Sequence, residues 1–298
     1  MSSPSSAMPL SALLKPFRLS SRRAAERVFR VDCELTYEVD APTDFVFLVH
    51  ALKDTEQHIA GESIDFHSDA AFHVFADPTQ GHRFTRVHVQ AGRFTLLYRA
   101  LVKKRPFTRD LRAPEHPIHE LPDHVLHNLA PTRYCESDLL GRTAYKLFGH
   151  LPPGHARVQA IADWIHDNID YTIGSTGPTT TAHEVFVQRA GVCRDFAHLG
   201  VTFCRALNIP ARLAVGYARF DEPPPDFHAV FEAWLGGRWV LFDATRMSPV
   251  DELIRIASGR DAKDVAFATL FGPARMLSMN PQIEEVGPQH LALAASGG

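Results

Sequence analysis

Cys193 follows Gly191-Val192 and precedes a run with apolar residues at helical spacing, so it opens a predicted helix. A helix N-terminus presents free backbone N–H groups and a partial positive charge. Both features suit a thiol nucleophile, and the same N–H groups could hold the oxyanion that forms when an acyl carbon becomes tetrahedral. Free cysteines are also ordinary packing residues, and Cys204, in the middle of the same helix on its apolar side, reads that way. A thiol nucleophile needs an imidazole base held by a third group. His228 and Asp243 lie on two runs joined by Gly236-Gly237, a β-hairpin signal. Closing the hairpin there pairs Leu235 with Arg238, so Asp243 faces Val230 and His228 faces Thr245. All four then share one face of the sheet, and His228 and Asp243 become diagonal neighbours about 7–8 Å apart at the backbone. Alone, either reads as an exposed histidine or a turn aspartate; the register is what joins them.

The elements that must position these residues follow from pattern. Val31, Cys33, Leu35, Tyr37 and Val39 alternate with polar residues, as in a half-buried strand, and short apolar runs follow at 45–49, 72–75, 84–89 and 94–98. Turn signals at Ala41-Pro42-Thr43-Asp44, Asp77-Pro78 and Ala91-Gly92 divide them, which predicts an antiparallel β-sandwich. A Pro-rich segment then encloses short helices near 123–129 and 136–148. After Pro152-Pro153-Gly154, residues Val158, Ile161, Ala162, Ile165 and Ile169 predict a helix; Thr181 and Glu184 form a capping box for the next. The helix opened by Cys193 stops at Asn208-Ile209-Pro210. Strands at 212–217, 229–235 and 238–243 complete an α+β arrangement.

With 45% apolar and 22% charged residues over 298 positions, the chain has the composition of a globular protein. Its formal charge of −3 and lack of a basic stripe argue against nucleic-acid or membrane partners. No basic cluster suggests a phosphate pocket. Four scattered cysteines make no disulfide framework or C-x-x-C pair, and the 17 histidines form no metal-ligand spacing, so no metal and no cofactor are expected. Free thiols fit a reducing compartment, which makes a cytoplasmic location the expectation. Residues 1–29 read as a disordered leader.

The segment Ala190-Gly-Val-Cys-Arg-Asp-Phe-Ala-His-Leu199 resembles the nucleophile segment of the bacterial transglutaminase-like cysteine proteins, within the papain-like superfamily. Residues 205–217 resemble the helix exit and strand that follow it there. His228-Ala-Val-Phe-Glu-Ala-Trp234 resembles the family's histidine strand, and Trp239-Val-Leu-Phe-Asp-Ala-Thr245 its aspartate strand. Segments 132–138 and 259–265 are similar too. The likeness spans most of residues 30–285. Arg194, Val230 and Ala244 depart from the residues usual beside the triad, which bears on substrate preference.

The resemblance implies an N-terminal β-sandwich at 30–110, a connecting segment at 111–154, a transglutaminase-like catalytic domain at 155–286 and a flexible tail at 287–298. It implies a Cys193–His228–Asp243 triad acting on peptide or amide bonds of a peptide or protein substrate through a thioester. Water as acceptor makes a peptidase or amidase, and a primary amine makes a transglutaminase. An acetyl-CoA-dependent amine acyltransferase built on the same triad and a non-catalytic binding protein that keeps the fold are the remaining alternatives. Tyr171 and Gln188 are candidates for a second oxyanion donor. Trp164, Trp234 and Trp239 read as core or cleft wall, His183 and His198 as surface or helix-side residues, and Arg260 and Asp261 as cleft residues or an ion pair.

Overall fold

The computed structural model describes residues 26–67, 69–106, 110–220, 226–287 and 289–291. The expected leader therefore lies almost wholly outside the described residues, as does most of the expected tail.

The alternating N-terminal pattern extends over β1 (Arg27–Val39), which turns through Asp40-Ala41-Pro42 into β2 (Thr43–Phe47). There follow β3 (Gln57–Phe66), β4 (Phe72–Ala76), β5 (Arg83–Val89) and β6 (Gly92–Lys104). The helical half comprises α1 (Asp123–Leu126), α2 (Ser137–Phe148), α3 (His155–Asn168), β7 (Asp170–Tyr171), α4 (Ala182–Gln188), β8 (Ala190–Gly191) and α5 (Cys193–Ala206). The remaining strands are β9 (Ala211–Tyr217), β10 (Phe227–Leu235), β11 (Arg238–Phe242), β12 (Ile254–Gly259), β13 (Ala268–Phe271) and β14 (Ala274–Val286).

Two four-stranded antiparallel sheets, ordered β14-β1-β6-β3 and β13-β2-β5-β4, form the sandwich. Their inward residues meet in an aromatic core: the Phe45 and Phe47 rings stack at 5.3 Å, and Phe94 lies 5.4 Å from both Phe45 and Phe66. The division at 155–286 is corrected here. β13 and β14 do not extend the second half; they pair with β2 and β1 and close the sandwich. β14 is an edge strand, which is how it accommodates Pro281 opposite Cys33.

The third sheet, ordered β11-β10-β9-β12, carries the second half. The hairpin has the expected register, from Leu235 opposite Arg238 to Phe231 opposite Phe242. Gly236 and Gly237 take φ of 58° and 78°, the left-handed pair that a two-residue turn of matching twist requires. α5 lies on this sheet, and close approach is possible because Gly200 faces the Phe231 ring: a Cβ there would stand 2.6 Å from it. α4 begins on the predicted capping box, with Thr181 Oγ1 accepting from Glu184 N at 3.4 Å and the Glu184 carboxylate accepting from Thr181 N at 2.8 Å.

Sandwich and sheet are tied through buried polar groups. The Gln57 side chain donates to Arg255 O at 3.0 Å and accepts from Arg255 N at 2.6 Å, and the Tyr217 hydroxyl donates to Val49 O at 2.6 Å. Glu232 is fully buried and holds Arg212 at 2.6 Å and Arg255 at 3.0 Å, so its charge is met on both oxygens. Among the described residues, no helix is long and apolar enough to cross a membrane.

Candidate active site

Three elements converge where α5 begins. Cys193 is the first residue of α5 and is partly exposed. The helix start is capped by Asp195, whose buried carboxylate accepts from Val192 N at 3.0 Å and from the Thr176 hydroxyl at 2.5 Å. An acid in the first turn also suits the helix dipole. A Cβ at Gly191 would meet Asp195 Cβ at 2.8 Å, so the glycine makes room for the cap.

The other two residues come from the hairpin. The diagonal relation holds: His228 Nε2 lies 2.9 Å from Asp243 Oδ2, with both side chains almost fully buried. Asp243 is itself held. Its Oδ1 accepts from Thr245 N at 2.9 Å and from the Thr245 hydroxyl at 2.7 Å, and Oδ2 also accepts from Ser248 N at 3.4 Å. Burial raises the cost of its charge, but the bonds from His228 and Thr245 outweigh that and hold its carboxyl below the usual value. Burial likewise opposes charge on His228. The bond to Asp243 and the neighbouring Cys193 thiol outweigh it, and the imidazole is raised to about 10. Since Nε2 is engaged by Asp243, Nδ1 is the nitrogen left for Cys193; it is buried and makes no aligned hydrogen bond among the described residues. The sulfur itself lies 3.9 Å from Phe227 O.

The other cysteines contrast with Cys193. Cys33, Cys135 and Cys204 are buried, and burial pushes the thiols of Cys33 and Cys135 up to about 12 and that of Cys204 higher still. They are packing residues, as expected of Cys204.

Tyr171 joins the site through a feature the sequence does not advertise. β7 and β8 pair in parallel, Tyr171 opposite Gly191, and Thr172 N donates to Gly191 O at 2.9 Å. This brings the phenol near Cys193, whose backbone N–H favours and whose thiol opposes a charge on the phenol oxygen. Burial and the sulfur's charge raise its pKa, so the hydroxyl keeps its proton at neutral pH. Gln188, the other candidate donor, is exposed and donates to Ala190 O at 2.8 Å; it does not take part.

Several further expectations are resolved. His198 is not a surface residue: it is fully buried, stacks on Tyr134 at 5.3 Å, accepts from Ala262 N at 3.1 Å, and burial lowers it to about 3. The segments 132–138 and 259–265 meet around it. Asp261 accepts from Tyr134 N at 3.3 Å, and buried Arg205 donates to Thr132 and to Arg260 O at 2.6 Å. Arg260 pairs with Asp264 and not with Asp261, so these segments brace α5. Trp164 packs against Phe148, Phe186 and Phe203, and Trp234 against Trp239, as core would. Arg194, a departure beside the triad, donates to Gly177 O at 2.9 Å and pairs with Asp195. Val230, another, fills a small apolar cluster with Leu241, Val250 and Leu253. No metal-binding cluster of three or more His, Cys, Asp or Glu occurs among the described residues.

A partly exposed thiol at a helix start, with a buried imidazole and a buried carboxylate on the antiparallel sheet against which that helix packs, is the frame of a transglutaminase-like core. Comparison with known families agrees: residues 142–244 match the transglutaminase-like superfamily model and residues 27–115 the bacterial transglutaminase N-terminal domain model. The chain belongs to the transglutaminase-like superfamily. It is similar to a solved structure described as a "putative cysteine protease" from Cytophaga hutchinsonii, with 41% identity and a TM-score of 0.84 over 89% of this chain and 92% of that one. An uncharacterised protein of Mycobacterium leprae (strain TN) is 34% identical over 148 residues, 46% of this chain and 52% of the relative. One from Mycobacterium tuberculosis (strain H37Rv) is 34% identical over 119 residues, 35% of this chain and 38% of the relative. The chain thus spans about half the length, or less, of these curated relatives.

Proposed function

We propose that this chain is a thiol-dependent acyl-transfer enzyme that cleaves peptide or amide bonds, with Cys193 as nucleophile, His228 as acid and base, and Asp243 as the group that orients and charges the imidazole. The observation that carries the reading is His228 fixed to Asp243 through one ring nitrogen, with the other left for the thiol of Cys193.

In the proposed reaction His228 holds the proton of the Cys193 thiol as an imidazolium, and the sulfur attacks the amide carbonyl carbon. The carbonyl oxygen becomes an oxyanion held by the Cys193 backbone N–H and the Tyr171 hydroxyl. His228 then gives its proton to the departing amine, and the C–N bond breaks to leave a thioester. For hydrolysis, His228 takes a proton from water as the water oxygen attacks the thioester. The products are a carboxylic acid and the restored Cys193–His228 pair. We assign water as the acceptor because Cys193 is partly exposed; a primary amine in that role would make a transglutaminase.

The test is limiting iodoacetamide at neutral pH followed by mass mapping, then p-nitrophenyl acetate with and without a primary amine. Cys193 should be modified about tenfold faster than in His228→Ala, and it should carry an acetyl adduct that water clears. Labelling spread over all four thiols, or a rate unchanged in His228→Ala, refutes the triad and leaves a binding protein of this fold. Amine-dependent clearance that outruns water reassigns the chain as an amine-accepting enzyme.

A further inference from the structure

Lys104 ends β6 in the interior, with only 6% of its surface exposed. An ammonium has three donors, and the structure shows one used, on Leu253 O at 2.5 Å. Among the described residues no carboxylate lies within ion-pair distance of it. A buried cation is ordinarily paired, so what completes this one has to be sought beside it. There a cavity of about 110 Å³ opens, lined by Lys104, Arg105, Arg238 and Arg255, with Glu56 as the acid on its wall. Arg255 already serves Glu232, Asp54 and Glu56, at 3.0, 2.7 and 2.8 Å. Glu56 is thereby paired with Arg255 and, with Asp251, offsets the Lys104 charge only from a distance; among the described residues neither Lys104 nor Arg105 has a carboxylate within ion-pair distance.

We propose that this cavity is a binding site for a small oxyanion of phosphate type, seated on the Lys104 ammonium with Arg105 and Arg238 closing over it. Its volume is well below the roughly 300 Å³ at which pockets begin to enclose drug-sized molecules, so it takes a single anionic group. The cations come from the sandwich (Lys104, Arg105) and from the third sheet (Arg238, Arg255), so an anion between them would clasp the two. Burial and Arg255 lower Lys104 to about 8, a cost that a bound anion would relieve. The site stands apart from the proposed chemistry at Cys193 and does not depend on it. Leu241 and Val250 separate it from a larger cavity, about 320 Å³, that reaches Asp243.

The experiment is a thermal-melt and calorimetric titration of the full chain with inorganic phosphate at matched ionic strength, with sodium acetate as the carboxylate arm. Phosphate should raise the melting temperature saturably, Arg105→Ala should weaken its binding about tenfold, and Lys104→Met should abolish the rise. Arg86→Ala, a basic change on β5 away from the cavity, should leave it intact. A stronger response to acetate than to phosphate would overturn the phosphate assignment in favour of a carboxylate. No saturable response to either, or one that survives Arg105→Ala unchanged, would overturn the site. Arg105 is exposed, so its variant remains informative if Lys104→Met does not fold.

Discussion

His228 and Asp243 sit 15 residues apart in the chain and 2.9 Å apart at Nε2 and Oδ2, on the same face of a hairpin whose register is set by Gly236-Gly237. The pair is buried, so each group sustains the charge of the other against desolvation. That mutual dependence makes its titration a property of the fold as well as of the chemistry.

The stability of the protein should carry the mark of His228. Its imidazole is raised from 6.5 to about 10, so its contribution is fully present below pH 6.5 and is lost as pH rises towards 10. Asp243, held below its usual value, contributes above that value and loses its contribution in acid. Lys104 works the other way: it is lowered from 10.5 to about 8, so its burial penalty is released between those values. Subtraction isolates the histidine. The difference in melting temperature between the native chain and His228→Gln should shrink steadily from pH 6.5 to 10, and a constant or growing difference would contradict the assigned shift.

Gly200 sets the distance between the helix that bears Cys193 and the strand that bears His228. Gly200→Ala drives a methyl into the Phe231 ring, and overpacking of this kind costs about 1–3 kcal/mol. Chemical denaturation should report that loss, and alkylation of Cys193 should slow because the helix is lifted from the strand. Adding Phe231→Leu should recover part of both. Recovery of stability without recovery of alkylation would show that spacing is not what Gly200 provides.

The hairpin, the capping box of α4 and the exit of α5 at Asn208 were legible because each is written in adjacent residues with a local physical reason. The meeting of His228 with Asp243 was legible for the same reason, through register arithmetic across the hairpin. What escaped depends on distant partners. β3 buries only part of one face and shifts register at Ile59/Gly61, so its apolar alternation is broken. β14 holds Pro281 and mostly exposed positions because it is an edge, and its pairing with β1 spans most of the chain. The link from Tyr171 to Cys193 rests on a two-residue parallel pair too short to leave a pattern. The Lys104 cavity draws its cations from three separate segments, none of them basic enough to stand out.

The returning strands carry a prediction of their own. A chain ended after Phe267 would leave β1 and β2 without the partners that cover their outer backbone edges. It should lose its cooperative melt and bind a hydrophobic dye, whereas a chain ended after Gly287 should melt as the full protein does. An intact cooperative melt in the shorter chain would mean that the sandwich closes without β13 and β14.

Tyr171→Phe separates holding an oxyanion from holding the fold. The ring stays and keeps its packing 5.8 Å from Phe196; only the hydroxyl beside the Cys193 N–H is removed. Alkylation by iodoacetamide passes through no tetrahedral oxyanion, so its rate should change little. Acylation by an ester does pass through one, and loss of a single oxyanion donor costs about a hundredfold or more in turnover. Turnover should fall with KM nearly unchanged, since the bond strengthens only as charge develops. Equal losses in alkylation and acylation would make Tyr171 a positioning residue for the thiol, and the second donor would then have to be sought elsewhere around Cys193.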